Sequence, residues 1–457
     1  MLECLVPETT DAVPILPLRE SEASDLAHLP QPRWRRWAEA SGFAGKPGQY
    51  CLLPDGEGGL EAVLAGYDPA EMPWCFADLA AALPAGSYRL KGNLDPWSGT
   101  QSALGWALGQ YGFERYKKRT RPEAKLVWPQ AVDRSEVLRL AAAVTLVRDL
   151  VNTPAEDMGP TALAEAALSV GRTYGAKAEC IVGEELLARN FPLVHTVGRA
   201  AADGPRLVVL RWGQGGKRLA LVGKGVCFDS GGLDLKSAEG MKLMKKDMGG
   251  AAHALALARL VMDAGLPVSL TLVLPIVENA VSGNAFRPLD VLKARSGSSV
   301  EVGNTDAEGR LILADALSLA AEEKPDLVLD FATLTGAARV ALGTEVPALF
   351  SNDEATAEAW LAAARRVNDP VWRLPLHGGY RRLLDSRVAD IHSTGEGGYG
   401  GAITAALFLQ HFVPEGLAWA HLDLMAWNAS ARPGRPIGGE AMGLRGAYAM
   451  LSDWCRA

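Results

Sequence analysis

Along the chain, apolar residues recur with two different periods. From Ser135 to Val151 the residues Val137, Leu140, Val144, Val147 and Val151 keep the three-to-four spacing of a helix face, and Asn152-Thr153-Pro154 supplies a turn that ends it. Beyond it, short continuous runs rich in leucine and valine alternate with longer helical patterns. Leu207–Leu210, Leu219–Val222, Leu270–Leu274 and Leu327–Leu329 predict buried strands, and Met248–Met262 predicts an amphipathic helix between two of them. Strands that are apolar on both faces, separated by helices, predict an α/β fold with a mixed, centrally parallel sheet flanked by helices.

The first 130 residues have shorter apolar runs broken by Pro and Gly, such as Tyr50-Cys51-Leu52-Leu53-Pro54, and predict a smaller N-terminal α/β domain. The expected division is 1–133 for that domain, 134–152 for a connecting helix and 153–457 for the larger domain. A length of 457 residues supports it, because single cores stop growing at roughly 250–300 residues. Arg33-Trp34-Arg35-Arg36-Trp37 reads as a helix with arginine stems packed over tryptophan rather than as a nucleic-acid contact.

Charge then narrows the function. Lys plus Arg number 46 against 53 Asp plus Glu, a net charge of -7, which disfavours a partner bound through its phosphate backbone. The N-terminal twenty residues lack the basic and apolar regions of a secretory signal, and no run of 18 apolar residues predicts a membrane span. Six scattered cysteines without a CxxC pair predict free thiols and a cytoplasmic protein.

In open parallel sheets, sites gather at the carboxyl ends of strands. Two segments there carry unusual residues. Gly223-Lys224-Gly225-Val226-Cys227-Phe228-Asp229-Ser230-Gly231-Gly232 lacks the spacing of a phosphate loop, but its paired glycines admit close backbone approach. It is followed by Lys236 and by Lys245-Lys246-Asp247, where Asp247 taken alone reads as a helix N-cap. In Gly303-Asn304-Thr305-Asp306-Ala307-Glu308-Gly309-Arg310, Asp306 and Glu308 stand two apart, and an extended backbone would aim both at one point. Four carboxylates without a histidine cluster suit two divalent cations, and the lysines and arginine around them suit an anion. That charge pattern predicts metal-assisted hydrolysis. No GxSxG or HExxH supports the alternatives.

The blocks VGKGVCFDSGG (222–232), MKKDMGGAA (244–252), NTDAEGRL (304–311) and ATLTGA (332–337) closely resemble the leucyl aminopeptidase (cytosol aminopeptidase) family, peptidase family M17. The resemblance covers roughly 135–457. It implies a metallo-exopeptidase removing N-terminal residues, leucine and other apolar ones preferred, from peptide substrates. It also implies two metal ions, Mn²⁺ or Zn²⁺ with Mg²⁺ as a further candidate, held by Lys224, Asp229, Asp247, Asp306 and Glu308. Asp229 and Glu308 would bridge, and the Asp306 carbonyl would also coordinate. Lys236 would polarise the scissile carbonyl, and Arg310 would anchor a bicarbonate acting as general base. Asp247 would lie near the substrate's free amine, with Met244, Thr333, Leu334 and Gly336 around the pocket. A homohexamer built as a dimer of trimers is implied as well, and DNA binding is disfavoured by the charge.

Four further residues and one helix carry expectations. Asp234 would pair with Lys236 or face solvent. His253 would be a packed side chain and not a ligand. His421 and Asp423 could form a catalytic pair but read as framework. The small-residue helix Ala402–Phe412, which follows the glycine-rich segment 395–401, is expected to pack between subunits.

Overall fold

The computed structural model describes residues 2–23, 25–92, 94–118, 123–395 and 397–456. The chain divides into two compact units, Met1–Thr145 with Ser430–Ile437, and Leu146–Ala429 with Gly438–Ala457.

The first unit is built on β1 (Leu5–Val6), β2 (Val13–Leu18), β3 (Tyr50–Pro54), β4 (Leu60–Gly66), β5 (Gly86–Leu90) and β6 (Ala124–Val127). Among the described residues they form one sheet in the order β1-β6-β5-β2-β4-β3, parallel except for β3 at the edge. The Arg/Trp cluster is helical, Pro32–Ala40, with proline at its start where a missing N–H is harmless. Trp34 is buried and its Nε1 donates to Glu61 of β4 at 2.9 Å, while Arg33 reaches the same carboxylate at 2.5 Å. One carboxylate thus turns the cluster onto its own sheet.

The second unit contains β7 (Lys177–Val182), β8 (Arg206–Trp212), β9 (Lys217–Gly223), β10 (Gly225–Asp229), β11 (Val268–Asn279), β12 (Val291–Lys293), β13 (Ser299–Glu301), β14 (Leu327–Ala332), β15 (Ala348–Ser351), β16 (Trp372–Arg373), β17 (Ile391–His392) and β18 (Trp419–Asp423). Its main sheet runs β16-β15-β18-β14-β9-β11-β8-β7, with β10 alongside the end of β11. The centre, β18-β14-β9-β11, is parallel, and antiparallel pairs flank it at β15, β8 and β7. All four strands expected from their apolar runs lie within β8, β9, β11 and β14. The two-domain α/β fold with a mixed, centrally parallel sheet is therefore as the sequence predicts.

Alternation along the strands divides the core. Ala220, Val222, Val273 and Val328 share a cluster with Leu311, Ile312, Ala316 and Leu319 of the helix Glu308–Glu322. The opposite face, where Phe331 points, receives the helix Gly249–Asp263. That helix approaches so closely that a Cβ on Gly250 would stand 2.1 Å from the Phe331 carbonyl oxygen. Only glycine fits there. The helix Gly401–Gln410 places Leu407, Phe408 and Leu409 in the core of its own unit, packed against the helices Glu308–Glu322 and Gly336–Leu342. Glu396, in the segment before it, lies outside the described residues. Register brings the strand ends level, with Phe331 opposite Gly223 and Asp423 opposite Ala332. Lys224, Asp229, Thr333 and Asp423 therefore emerge at one edge.

Candidate metal centre

Lys224 leaves β9 directly. Its Nζ stands 2.7 Å from Asp247 Oδ2 and 3.0 Å from Glu308 Oε1, and it donates to the Thr333 carbonyl at 3.2 Å. The residue after Glu308 must be small for this to happen, since a Cβ on Gly309 would lie 2.5 Å from Lys224 Cε. Asp229 ends β10. Its Oδ1 accepts from the Gly231 N–H and from Asn279 Nδ2, both at 2.9 Å, and its Oδ2 faces Lys236 Nζ at 2.8 Å. Lys236 also pairs with Asp306. The same Asn279 amide donates to the Thr305 carbonyl at 3.1 Å, which ties β11 to the 304–308 turn.

Asp306 and Glu308 converge for a reason other than the one expected. Residues Thr305–Ala307 form a 3-10 turn and Glu308 opens the following helix, so the backbone is coiled where extension was anticipated. The turn, capped by Asn304, swings both carboxylates inward. Asp247 is likewise not an N-cap. It lies in the 3-10 turn Met244–Met248, and its Oδ1 accepts from Thr333 Oγ1 at 2.8 Å. The result is that Asp229, Asp306 and Glu308 offer oxygens all within 4.8 Å of one another, with Asp247 joined to them through Lys224.

Three carboxylates so close repel one another, and their titration records it. Burial, then the charge of Asp229, pushes Glu308 up to about 8 and Asp306 up to about 6. Burial works against the Lys224 ammonium, yet Asp247, Glu308 and Asp229 outweigh it and hold its pKa above the ordinary lysine value. Lys236 is raised by Asp229 and Asp306 against the same burial cost. Both Glu308 oxygens and Asp247 Oδ2 are buried without a hydrogen bond of acceptable geometry. Buried carboxylate oxygens normally have partners. A donor set of clustered, under-satisfied hard oxygens fits divalent cations, and Lys224, Asp229, Asp247, Asp306 and Glu308 are the residues able to hold them.

Arg310 is buried two residues further along the helix. Its Nη1 donates to the Ser393 carbonyl at 2.7 Å, its Nε has no hydrogen-bond partner, and burial lowers it to about 10. Thr333 and Leu334 follow β14, Met244 begins the Asp247 turn, and Gly336 opens the helix Gly336–Leu342. The Leu334 N–H donates to Asp423 Oδ1 at 3.0 Å.

The sequence-predicted residues thus gather at the carboxyl ends of β9, β10 and β14. Sequence reasoning missed Asn279 and Thr305, which orient the carboxylates, and the only signal for them was an asparagine ending an otherwise apolar strand. Asp234, although exposed, neither pairs with Lys236 nor faces solvent alone: its Oδ2 accepts from the Thr305 N–H at 2.8 Å and braces the turn. His253 is packed, as expected. Nδ1–H donates to the Gly249 carbonyl at 2.7 Å, and Nε2 accepts from the Met442 N–H at 2.9 Å. His421 does not meet Asp423. Its Nδ1–H donates to Asp330 at 2.5 Å, and Asp423 instead receives Leu334 N–H, Thr335 N–H and Thr335 Oγ1.

The sequence model of the cytosol aminopeptidase family, catalytic domain, matches residues 145–447, and that of the M17 aminopeptidase N-terminal domain matches 13–129. The chain belongs to the cytosol aminopeptidase family. A probable cytosol aminopeptidase of Xanthomonas campestris pv. campestris is 45% identical over 306 residues, 65% of this chain and 62% of that protein. The match therefore spans less than two thirds of that relative's length. The crystal structure of a cytosol aminopeptidase from Coxiella burnetii superposes with a TM-score of 0.95 at 47% identity, covering 99% of both chains. The bottromycin maturation enzyme BotP in complex with Mn gives 0.88 at 34% identity, covering 98% of this chain and 100% of that one. Among the described residues, no helix is long and apolar enough to cross a membrane.

Proposed function

We propose that the protein is a metal-dependent aminopeptidase that removes the N-terminal residue of peptides. The observation that carries this reading is the convergence of Asp229, Asp306 and Glu308 within 4.8 Å, with Lys224 and Lys236 wedged among them. The presence of Mn in BotP supports Mn²⁺ as one candidate metal, with Zn²⁺ and Mg²⁺ as the others. When bound, a metal pair supplies an acidified water and charge stabilisation.

The chain's own residues divide the remaining tasks. Asp247 lies beside Thr333 and receives the substrate's free α-amine, which restricts cleavage to the first residue. The Lys236 ammonium, held protonated by Asp229 and Asp306, donates to the scissile carbonyl oxygen as charge develops on it. Arg310, with its Nε unengaged, holds the anion that accepts the attacking water's proton; bicarbonate suits a guanidinium edge. The Leu334 N–H is engaged by Asp423, so the contact of this residue with substrate falls to its carbonyl. Met244, Thr333 and Gly336 border the side-chain pocket. Assembly into a hexamer built as a dimer of trimers belongs to the same proposal.

The deciding experiment compares release of leucine from leucinamide and from N-acetyl-leucinamide by protein stripped with chelator and returned to Mn²⁺ or Zn²⁺. Metal-restored cleavage of the free-amine substrate alone is expected. Cleavage of both, or of neither with metal bound, sinks the reading.

A further inference from the structure

At the edge of the second unit's main sheet lies a cavity that the preceding chemistry does not use. It measures about 630 Å³ and is bounded by the helix Glu354–Arg366, the turn 367–371 and the edge strand β16. Sites for small ligands fall in the range of about 300–1,000 Å³. The turn is held firmly from behind. Asp369 accepts from the N–H groups of Gly443, Arg445 and Gly446 at 3.0, 2.8 and 3.1 Å. The Arg445 guanidinium donates to the carbonyls of Val367 and Asn368 at 2.6 and 2.7 Å. The cavity is therefore preformed.

Four charged residues line it, Glu358, Arg365, Asp369 and Arg373, and two of them are spent on the fold. Asp369 is occupied by the three N–H groups, and Arg373 is forked onto Glu354, with Nη2 2.7 Å from Oε2. Glu358 and Arg365 are exposed and have no ion pair among the described residues. Seven positions apart on one helix, they return to the same face roughly 10 Å apart along the axis, with Leu361 between them. A negative end, an apolar middle and a positive end thus follow one another along this wall. The strand opposite adds main-chain groups. Trp372 and Leu374 N–H donate to the Pro347 and Leu349 carbonyls, both at 2.9 Å, so the N–H and C=O of Arg373 between them face the open edge of the sheet. Trp372 itself is 62% exposed there. Free main-chain groups beside a large apolar side chain are what an edge strand offers to an added extended segment. Three extended residues span about 10 Å, the separation of the two free charges.

We infer that this cavity binds a short, extended, apolar peptide with free termini. Its ammonium meets Glu358, its carboxylate meets Arg365, its side chains cover Leu361 and Trp372, and its main chain pairs with the Arg373 edge. None of the residues proposed to hold metal lines the cavity, and the inference stands independently of the aminopeptidase reading.

The test titrates the metal-loaded full chain calorimetrically with leucyl-glycyl-leucine whose first amide is replaced by a ketomethylene (CO–CH2) link, which cannot be hydrolysed. One binding equivalent is expected to weaken about tenfold in Arg365→Met, the scale of a charge-assisted hydrogen bond, while Arg365→Lys retains most of it. Amidating the ligand's carboxylate should weaken the same equivalent by a similar factor in the wild-type chain and no further in Arg365→Met. Glu358→Gln should weaken it severalfold. Leucinamide turnover and metal content are expected to stay at wild-type values in these variants. The amide comparison needs no variant, so a misfolded one does not blunt the test. Binding that depends neither on the ligand's carboxylate nor on Arg365 and Glu358 overturns the inference. Binding that depends on them in a chain unable to cleave leucinamide upholds it and sinks the aminopeptidase reading instead.

Discussion

Two sets of buried charges in the second unit behave in opposite ways. At the centre around Lys224, carboxylates crowd within 4.8 Å, their oxygens are left short of donors, and Glu308 is displaced to about 8. Between Arg148 and Glu440, by contrast, two buried charges match. Arg148 Nη2 lies 3.0 Å from Glu440 Oε2 and 3.2 Å from Oε1, and Asn428 Nδ2 and the Ala441 N–H complete the carboxylate's shell at 3.1 and 2.9 Å. Both sets are desolvated, so burial alone does not separate them. The separation lies in satisfaction. A buried charge matched by its counter-charge and hydrogen bonds holds the fold together; carboxylates crowded beyond what Lys224 and Lys236 satisfy are arranged for something the chain does not itself contain.

The most severe way to break this contrast is Glu308→Ala. Removing a carboxylate central to the cluster is expected to abolish metal binding and to lower peptidase activity by at least about a thousandfold, since the acidified water goes with the ions. Metal content by atomic spectroscopy together with leucinamide turnover checks it. Full metal content with normal turnover would refute the assignment. The folded state should persist, because the substitution also removes repulsion.

At the matched pair the effect should appear in stability and not in metal content. Glu440→Gln removes the carboxylate charge that faces the buried Arg148 guanidinium, and breaking such a pair costs about 3–5 kcal/mol. Urea unfolding should show that loss while metal stoichiometry stays at the wild-type value. A variant with unchanged stability would mean that satisfaction is not what distinguishes the two sets.

Lys236→Met tests the centre more finely. Losing one donor aimed at a developing oxyanion costs about 10²–10³ in rate, roughly 2.7–4 kcal/mol. The fall should lie in kcat, with metal still bound. If KM alone rises, Lys236 binds substrate and does not stabilise the transition state.

The smallest effect is expected at His253, a buried polar group satisfied on both ring nitrogens. Burial lowers it to about 4, against the upward pull of its Gly249 hydrogen bond and of Asp369, the charged neighbour acting on it. The unfolded chain protonates this ring near its ordinary value of about 6.5, so between pH 6.5 and 4 the unfolded state binds the extra proton. Its contribution is complete above pH 6.5 and is lost as pH falls towards 4, up to about 3 kcal/mol. His253→Gln should flatten the wild-type slope of unfolding free energy in that window. Parallel slopes would show that the ring is not held neutral.

Much of this was legible in the residues. Continuous apolar runs fixed β8, β9, β11 and β14, because a strand covered on both faces leaves that signature whatever surrounds it. The four motif blocks hold Lys224, Asp229, Asp247, Asp306 and Glu308, and the family resemblance those blocks carry singled them out, together with Lys236 between the first two. Local reasoning failed where one segment's conformation depended on another. Asp306 and Glu308 were expected on extended backbone but sit on a 3-10 turn and a helix start. Asp247 was a helix cap by sequence alone and a partner of Lys224 and Thr333 in the fold.

The sequence by itself therefore determined which elements exist and which chemical groups the site contains, because both follow from periodicity and residue type. Only the tertiary structure decided which charges are satisfied. That Asn279 orients Asp229, and that Asp330 rather than Asp423 takes His421, depends on strand order and register. Residues 50 to 100 positions apart meet there, and no local pattern encodes who meets whom.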